Sequence, residues 1–172
     1  MNPSDPNIPL ALNQIYAELQ SASNWGGSKV DSSPWMTGKW DKYQFLDLSE
    51  VSHGFAVAYD WCYAGWTPAQ RSFIVAAISR LALAESDGGD GQNGRTSQFS
   101  SWYFTGSGNW PIVCNGGDIF SAIAILGDET TYLPGSQNPT DTAQASVVLD
   151  ALMPVFPVGT AMAEWAPDGR LA

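Results

Sequence analysis

Residues 48–86 read LSEVSHGFAVAYDWCYAGWTPAQRSFIVAAISRLALAES, and the fold turns on them. Ser49 can cap a helix at its amino end, and Val51, Phe55, Ala58 and Cys62 then share one face, with Val57 and Trp61 beside it. The second helix is announced more firmly. Thr67 offers an N-cap hydroxyl, and Pro68 takes the first helical position, where its missing N–H costs nothing. Phe73, Ile74, Ala77, Ile78 and Leu81 then form an apolar stripe. Only an AGW turn separates the two helices, so they run antiparallel as a helical hairpin.

On both sides the pattern stays helical. Residues 8–22 set Leu12, Ile15, Tyr16 and Leu19 at helical spacing, and a helix is expected from about Gly116 to Leu126. In TDTAQASVVLDALMPVF, residues 140–156, Val147, Val148, Ala151 and Leu152 share a side before Pro154 kinks or ends the helix. Between these lie a stretch rich in Gly, Ser and Trp at 23–47, a long run of turn-forming and aromatic residues at 86–115, and a turn-rich stretch at 127–140. A connection as long as 86–115 inside a compact domain is usually functional or disordered. Strand-like alternation is almost absent. The expectation is an all-α protein of helical hairpins, with residues 1–172 forming one helical domain.

Composition narrows the partners. Seventeen acidic residues against seven basic ones give a formal charge of −10, and the basic residues are scattered, which excludes the basic footprint that nucleic acid demands. No stretch reaches membrane-spanning length, and the amino end lacks the basic and long apolar regions of a signal peptide. Cys62 and Cys114 fit no metal spacing, and no cofactor motif is present. Eight tryptophans, six tyrosines and seven phenylalanines are unusual in their placement, because many sit among Gly, Ser and Asn. Such rings serve either as platforms for the apolar face of a sugar or as packing that ties loops to helices.

One loop concentrates these features. GNWPIVCNGG, residues 108–117, runs directly into the apolar DIFSAIAIL. Together with SHGFAVAYDWCYAGWTPAQRSFIVAAI at 52–78 and the closing EWAPDGR at 164–170, the stretch GNWPIVCNGGDIFSAIAILGDE at 108–129 resembles, in order, segments of heparinase II/III-like polysaccharide lyases. The resemblance covers about residues 40 to 170. It implies an (α/α) toroid, with the NW loop at the mouth of a central cleft and the following helix buried in the ring. With about five helices the toroid is expected to be partial, without the C-terminal β-sandwich domain of the family. The implied activity is β-elimination on an acidic, uronate-containing polysaccharide or oligosaccharide, in a secreted or periplasmic setting.

That chemistry sets requirements. The carbanion beside the uronate carboxylate must be stabilised by a donor, cation or metal, a base must take the proton, and an acid must reach the leaving oxygen. Asn109 offers an amide to the carboxylate, or ties the loop to the next helix. Tyr103 and His53, the only histidine, are the candidate bases, each with packing as the alternative. Trp110, Trp102, Asn115 and Arg95 are candidate substrate contacts. A glycoside hydrolase on the same scaffold needs paired carboxylates, for which Asp60, Asp118 and Glu164 are available. A non-catalytic carbohydrate-binding or interaction module is the other reading. An incomplete ring is further expected to expose apolar surface and so to favour self-association.

Overall fold

The computed structural model describes residues 7–23, 45–84, 109–132 and 144–153. These are almost wholly helical, and no strand occurs among them. Helix α1 spans Ile8–Ala22, α2 spans Phe45–Trp61, and a single 3-10 turn at Tyr63–Gly65 leads into α3, Pro68–Ala77. Beyond Ala77 the same helix continues as a π-helical stretch, Ile78–Leu83. Helix α4 covers Asn109–Ile125, the short α5 Glu129–Tyr132, and α6 Gln144–Leu152.

The hairpin forms as its sequence dictates. The Thr67 hydroxyl accepts from the Gln70 backbone N–H while the Gln70 side chain reaches back to the Thr67 N–H, which satisfies two donors at the start of α3. Its apolar stripe widens downstream until every residue from Ile74 to Ala84 except Arg80 is buried. A helix apolar on all sides belongs at the centre of a bundle, and this one packs against α2, α4 and α6. Trp66 closes the turn, buried, with its indole N–H on the Ala58 carbonyl at 3.2 Å. Helix α1 lies across this end, with Tyr16 edge-on to Phe73 at 5.5 Å and Leu12 against Gly65.

Two boundaries differ from the sequence reading. Ser49 does not cap α2. The helix begins a turn earlier at Phe45, and Ser49 is buried within it, its hydroxyl donating to the Cys114 carbonyl at 3.0 Å. This rotates the buried face onto Leu48, Ser52, Phe55, Ala56 and Tyr59, leaves Val51, Ala58 and Cys62 half-buried, and turns Trp61 out to solvent. Helix α4 likewise starts at Asn109, so the NW segment is its first turn. Pro111 falls within that first turn, where its missing N–H breaks no helical bond.

Helices α2 and α4 run parallel and in fixed register. Ser49 meets Cys114 and Gly117, Ser52 meets Ser121, His53 meets Phe120, and Tyr59 meets Asp128. Helix α3 starts at the end where α2 and α4 finish, since Arg71 reaches Tyr132. Helix α6 starts there too, because the Glu129 carboxylate accepts from the Ala145 N–H, and it runs back along α4 on Ala145, Val148 and Leu152. The described residues thus form two hairpins side by side, α2 with α3 and α4 with α6, around one hydrophobic core. Burial of each large core side chain, Phe55, Leu48, Ile74, Ile78 or Ile125, contributes about 1.5–3 kcal/mol.

Candidate functional site

Three arrangements carry polar chemistry. The first is the seam between α2 and α4, where Ser49, Ser52, Ser121, Asn115 and Asp118 are all buried. Small side chains let the helices approach closely. A Cβ placed on Gly117 would come within 2.6 Å of the Ser49 carbonyl oxygen, so only glycine fits there. The Ser52 and Ser121 hydroxyls bond to each other across the seam. Burial, with the Asp118 charge adding to it, pushes the Cys114 thiol up to about 12, which keeps it an uncharged packing group. Cys62 stands near the far end of α2, more than three turns along the parallel pair from the level of Cys114, and both thiols are free.

The second is an outward-facing ring pair. His53 stacks on Phe120 with centroids 4.9 Å apart and planes 26° from parallel. His53 is half-buried and Phe120 is 57% exposed, so this is not a core histidine. Phe120 lies eleven residues beyond Asn109, which at 1.5 Å per residue sets the ring pair about 16 Å along α4 from the Asn109 backbone.

The third is a corner where α2 ends, α3 begins and α5 follows α4. Asp128 accepts from the Tyr59 hydroxyl at 2.6 Å and from the Tyr63 hydroxyl at 3.3 Å. Burial and the Asp128 carboxylate push the Tyr59 phenol far above its ordinary range, so it is a fixed donor and not a base. Arg71 donates from Nη1 to the Tyr132 hydroxyl at 3.1 Å and from Nη2 to the Tyr63 carbonyl at 2.7 Å, and its guanidinium covers the Tyr63 ring at 3.8 Å. The contact with Tyr132 favours its charged form.

Against this geometry the sequence-derived residues divide. Asn109 and Trp110 contribute the backbone of the first turn of α4. Asn115 is buried one turn further on, a position that suits packing better than substrate contact. Tyr103, Trp102, Arg95, Glu164 and Asp168 lie outside the described residues. Asp60 is exposed on α2 and Asp118 buried in the seam, so these two do not form a facing carboxylate pair. Among the described residues no His, Cys, Asp and Glu cluster is fit to hold a metal ion, and no helix is long and apolar enough to cross a membrane. The Arg71 corner escapes a reading of the sequence as a unit, because its members come from three separate segments; the signal available is a tyrosine-rich helix end, YDWCY, closely followed by an arginine in TPAQR.

Comparison with known protein families, with characterised proteins and with solved structures gives no match for this chain.

Proposed function

We propose that the chain is a relative of heparinase II/III-like lyases, built on the same hairpin array and directed at uronate-containing polysaccharide by β-elimination. The observation that carries this reading is the parallel pairing of α2 and α4, each followed by a helix that starts from their shared end. A toroid of hairpins needs successive inner helices in this relation. The motif order, SHGFAVAYDW then GNWPIVCNGG, adds to it.

Within this reading Asn109, at the amino end of α4, donates its amide to the uronate carboxylate and spreads the charge that develops when the adjacent proton leaves. A base must lie within hydrogen-bond reach of that proton. The distance of about 16 Å along α4 from Asn109 to the ring pair counts against His53 for the transfer, which leaves Tyr103 as the other candidate base. Trp102, Trp110 and Arg95 then serve the flanking sugars.

Incubation with heparan sulfate, alginate and hyaluronan tests the reading, because elimination leaves an unsaturated uronate that absorbs ultraviolet light. A rise is expected on at least one polymer, and Asn109→Ala should abolish it with the circular dichroism unchanged. No rise on any of them removes the lyase reading. A second reading, a carbohydrate-binding module, is favoured by the His53–Phe120 pair, half-buried at His53 and exposed at Phe120, whose flat aromatic surface suits a pyranose face. It predicts polymer bound and left intact, with affinity lost in Phe120→Ala.

A further inference from the structure

Arg71 is unusual in a chain with 17 acidic residues and 7 basic ones, because it has no carboxylate at ion-pair distance among the described residues. Neutral groups hold it instead: the Tyr132 hydroxyl, the Tyr63 carbonyl and the face of the Tyr63 ring. Asp128, the acid of the same corner, is bonded to Tyr59 and Tyr63. A guanidinium carries five N–H donors. Two are used and Nε is buried without a partner, which leaves one N–H on each Nη, and the bond to Tyr63 lies at the exposed surface. Two residues before Tyr63, Trp61 is 78% exposed.

From this arrangement we infer that the Arg71 corner is a subsite for the carboxylate of an acidic sugar, separate from the Asn109 end of the molecule. The inference rests on the reading of the chain as a polysaccharide-acting protein. A planar carboxylate fits a guanidinium edge, and an arginine already fixed by two hydrogen bonds and a ring loses little further freedom on binding. Asp128, bonded to the Tyr63 hydroxyl in the same corner, opposes an anion, so the carboxylate has to be held by the two remaining Nη hydrogens of Arg71. Helix α4 separates this corner from Asn109 by about 24 Å at 1.5 Å per residue. A disaccharide therefore reaches one end only, and a longer polymer reaches both.

Calorimetric titration with hyaluronan oligosaccharides, dextran sulfate and neutral dextran tests the subsite. Arg71→Gln should weaken hyaluronan binding about tenfold or more, the scale of a charge-assisted hydrogen bond, and leave neutral dextran unaffected. Arg71→Lys keeps the stem and the charge but loses the fork, and should fall between; it also gives the reading if Arg71→Gln fails to fold. Hyaluronan binding equal to wild type in both variants overturns the subsite, even where ultraviolet-detected elimination persists. Dependence on Arg71 for dextran sulfate alone overturns the carboxylate assignment. Wild-type protein that binds none of the acidic polymers overturns this inference, while the ultraviolet assay on heparan sulfate, alginate and hyaluronan decides the lyase reading separately.

Discussion

Tyr59 and Asp128 show how much one pair of atoms can hold. Tyr59 is wholly buried, and its hydroxyl donates to Asp128 at 2.6 Å across the junction of the two hairpins. Tyr59→Phe keeps the ring and strands part of the carboxylate, so the expected loss is about 1–3 kcal/mol, read from the urea midpoint. The two thiols give a second residue-scale outcome. In the native protein half-buried Cys62 should react with a thiol reagent far faster than Cys114, which should react only on unfolding. Equal rates would contradict the buried seam. Because the folded Cys114 pKa is raised to about 12, its contribution is present at low pH and lost as pH climbs from the ordinary thiol value of about 8.5 towards 12. Cys114→Ala should therefore flatten the alkaline decline in stability over that window.

At the scale of elements, two glycines in neighbouring helices should respond with opposite signs. Gly117 faces the Ser49 backbone, and Gly117→Ala forces α2 and α4 apart at a cost of about 1–3 kcal/mol. At Gly54 an added methyl would meet nothing within 4 Å, and Gly54→Ala should stabilise α2 by about 0.5–1 kcal/mol. Thermal melts of the two variants check both signs at once. The same elements show what the sequence makes legible. Thr67 and Pro68 declare the start of α3 through local chemistry that no distant residue can change, and the stripe from Ile74 to Leu81 declares its buried side. Ser49 misleads because a serine buried in a helix looks, in sequence, the same as a serine capping one; its partner, the Cys114 carbonyl, is sixty-five residues away. Asn109 and Trp110 read as loop because Gly, Asn and Pro are turn formers, yet Pro is equally at home in a first helical turn. The Arg71 corner is only half legible, because YDWCY and the arginine of TPAQR lie close in sequence while nothing local ties them to Asp128 and Tyr132.

For the whole molecule, the described surface carries Trp61, Phe120, Ile123, Leu126, Val147 and Met153 exposed, beside a net charge of −10. Apolar patches drive association while like charge opposes it, so self-association should strengthen as salt screens the repulsion. Light scattering across a salt series checks this, and an unchanged monomer mass at high salt would count against it. The register of α2 and α4 has a mechanical consequence as well. Ser49, Ser52 and Tyr59 engage Cys114, Ser121 and Asp128 as teeth engage a rack, and the notch at Gly117 is filled by the carbonyl and Cβ of Ser49. Sliding one helix past the other would break all of these engagements together, with no half-way rest. The two helices consequently travel as a single rigid beam, and a motion of this bundle has to leave that beam unbent.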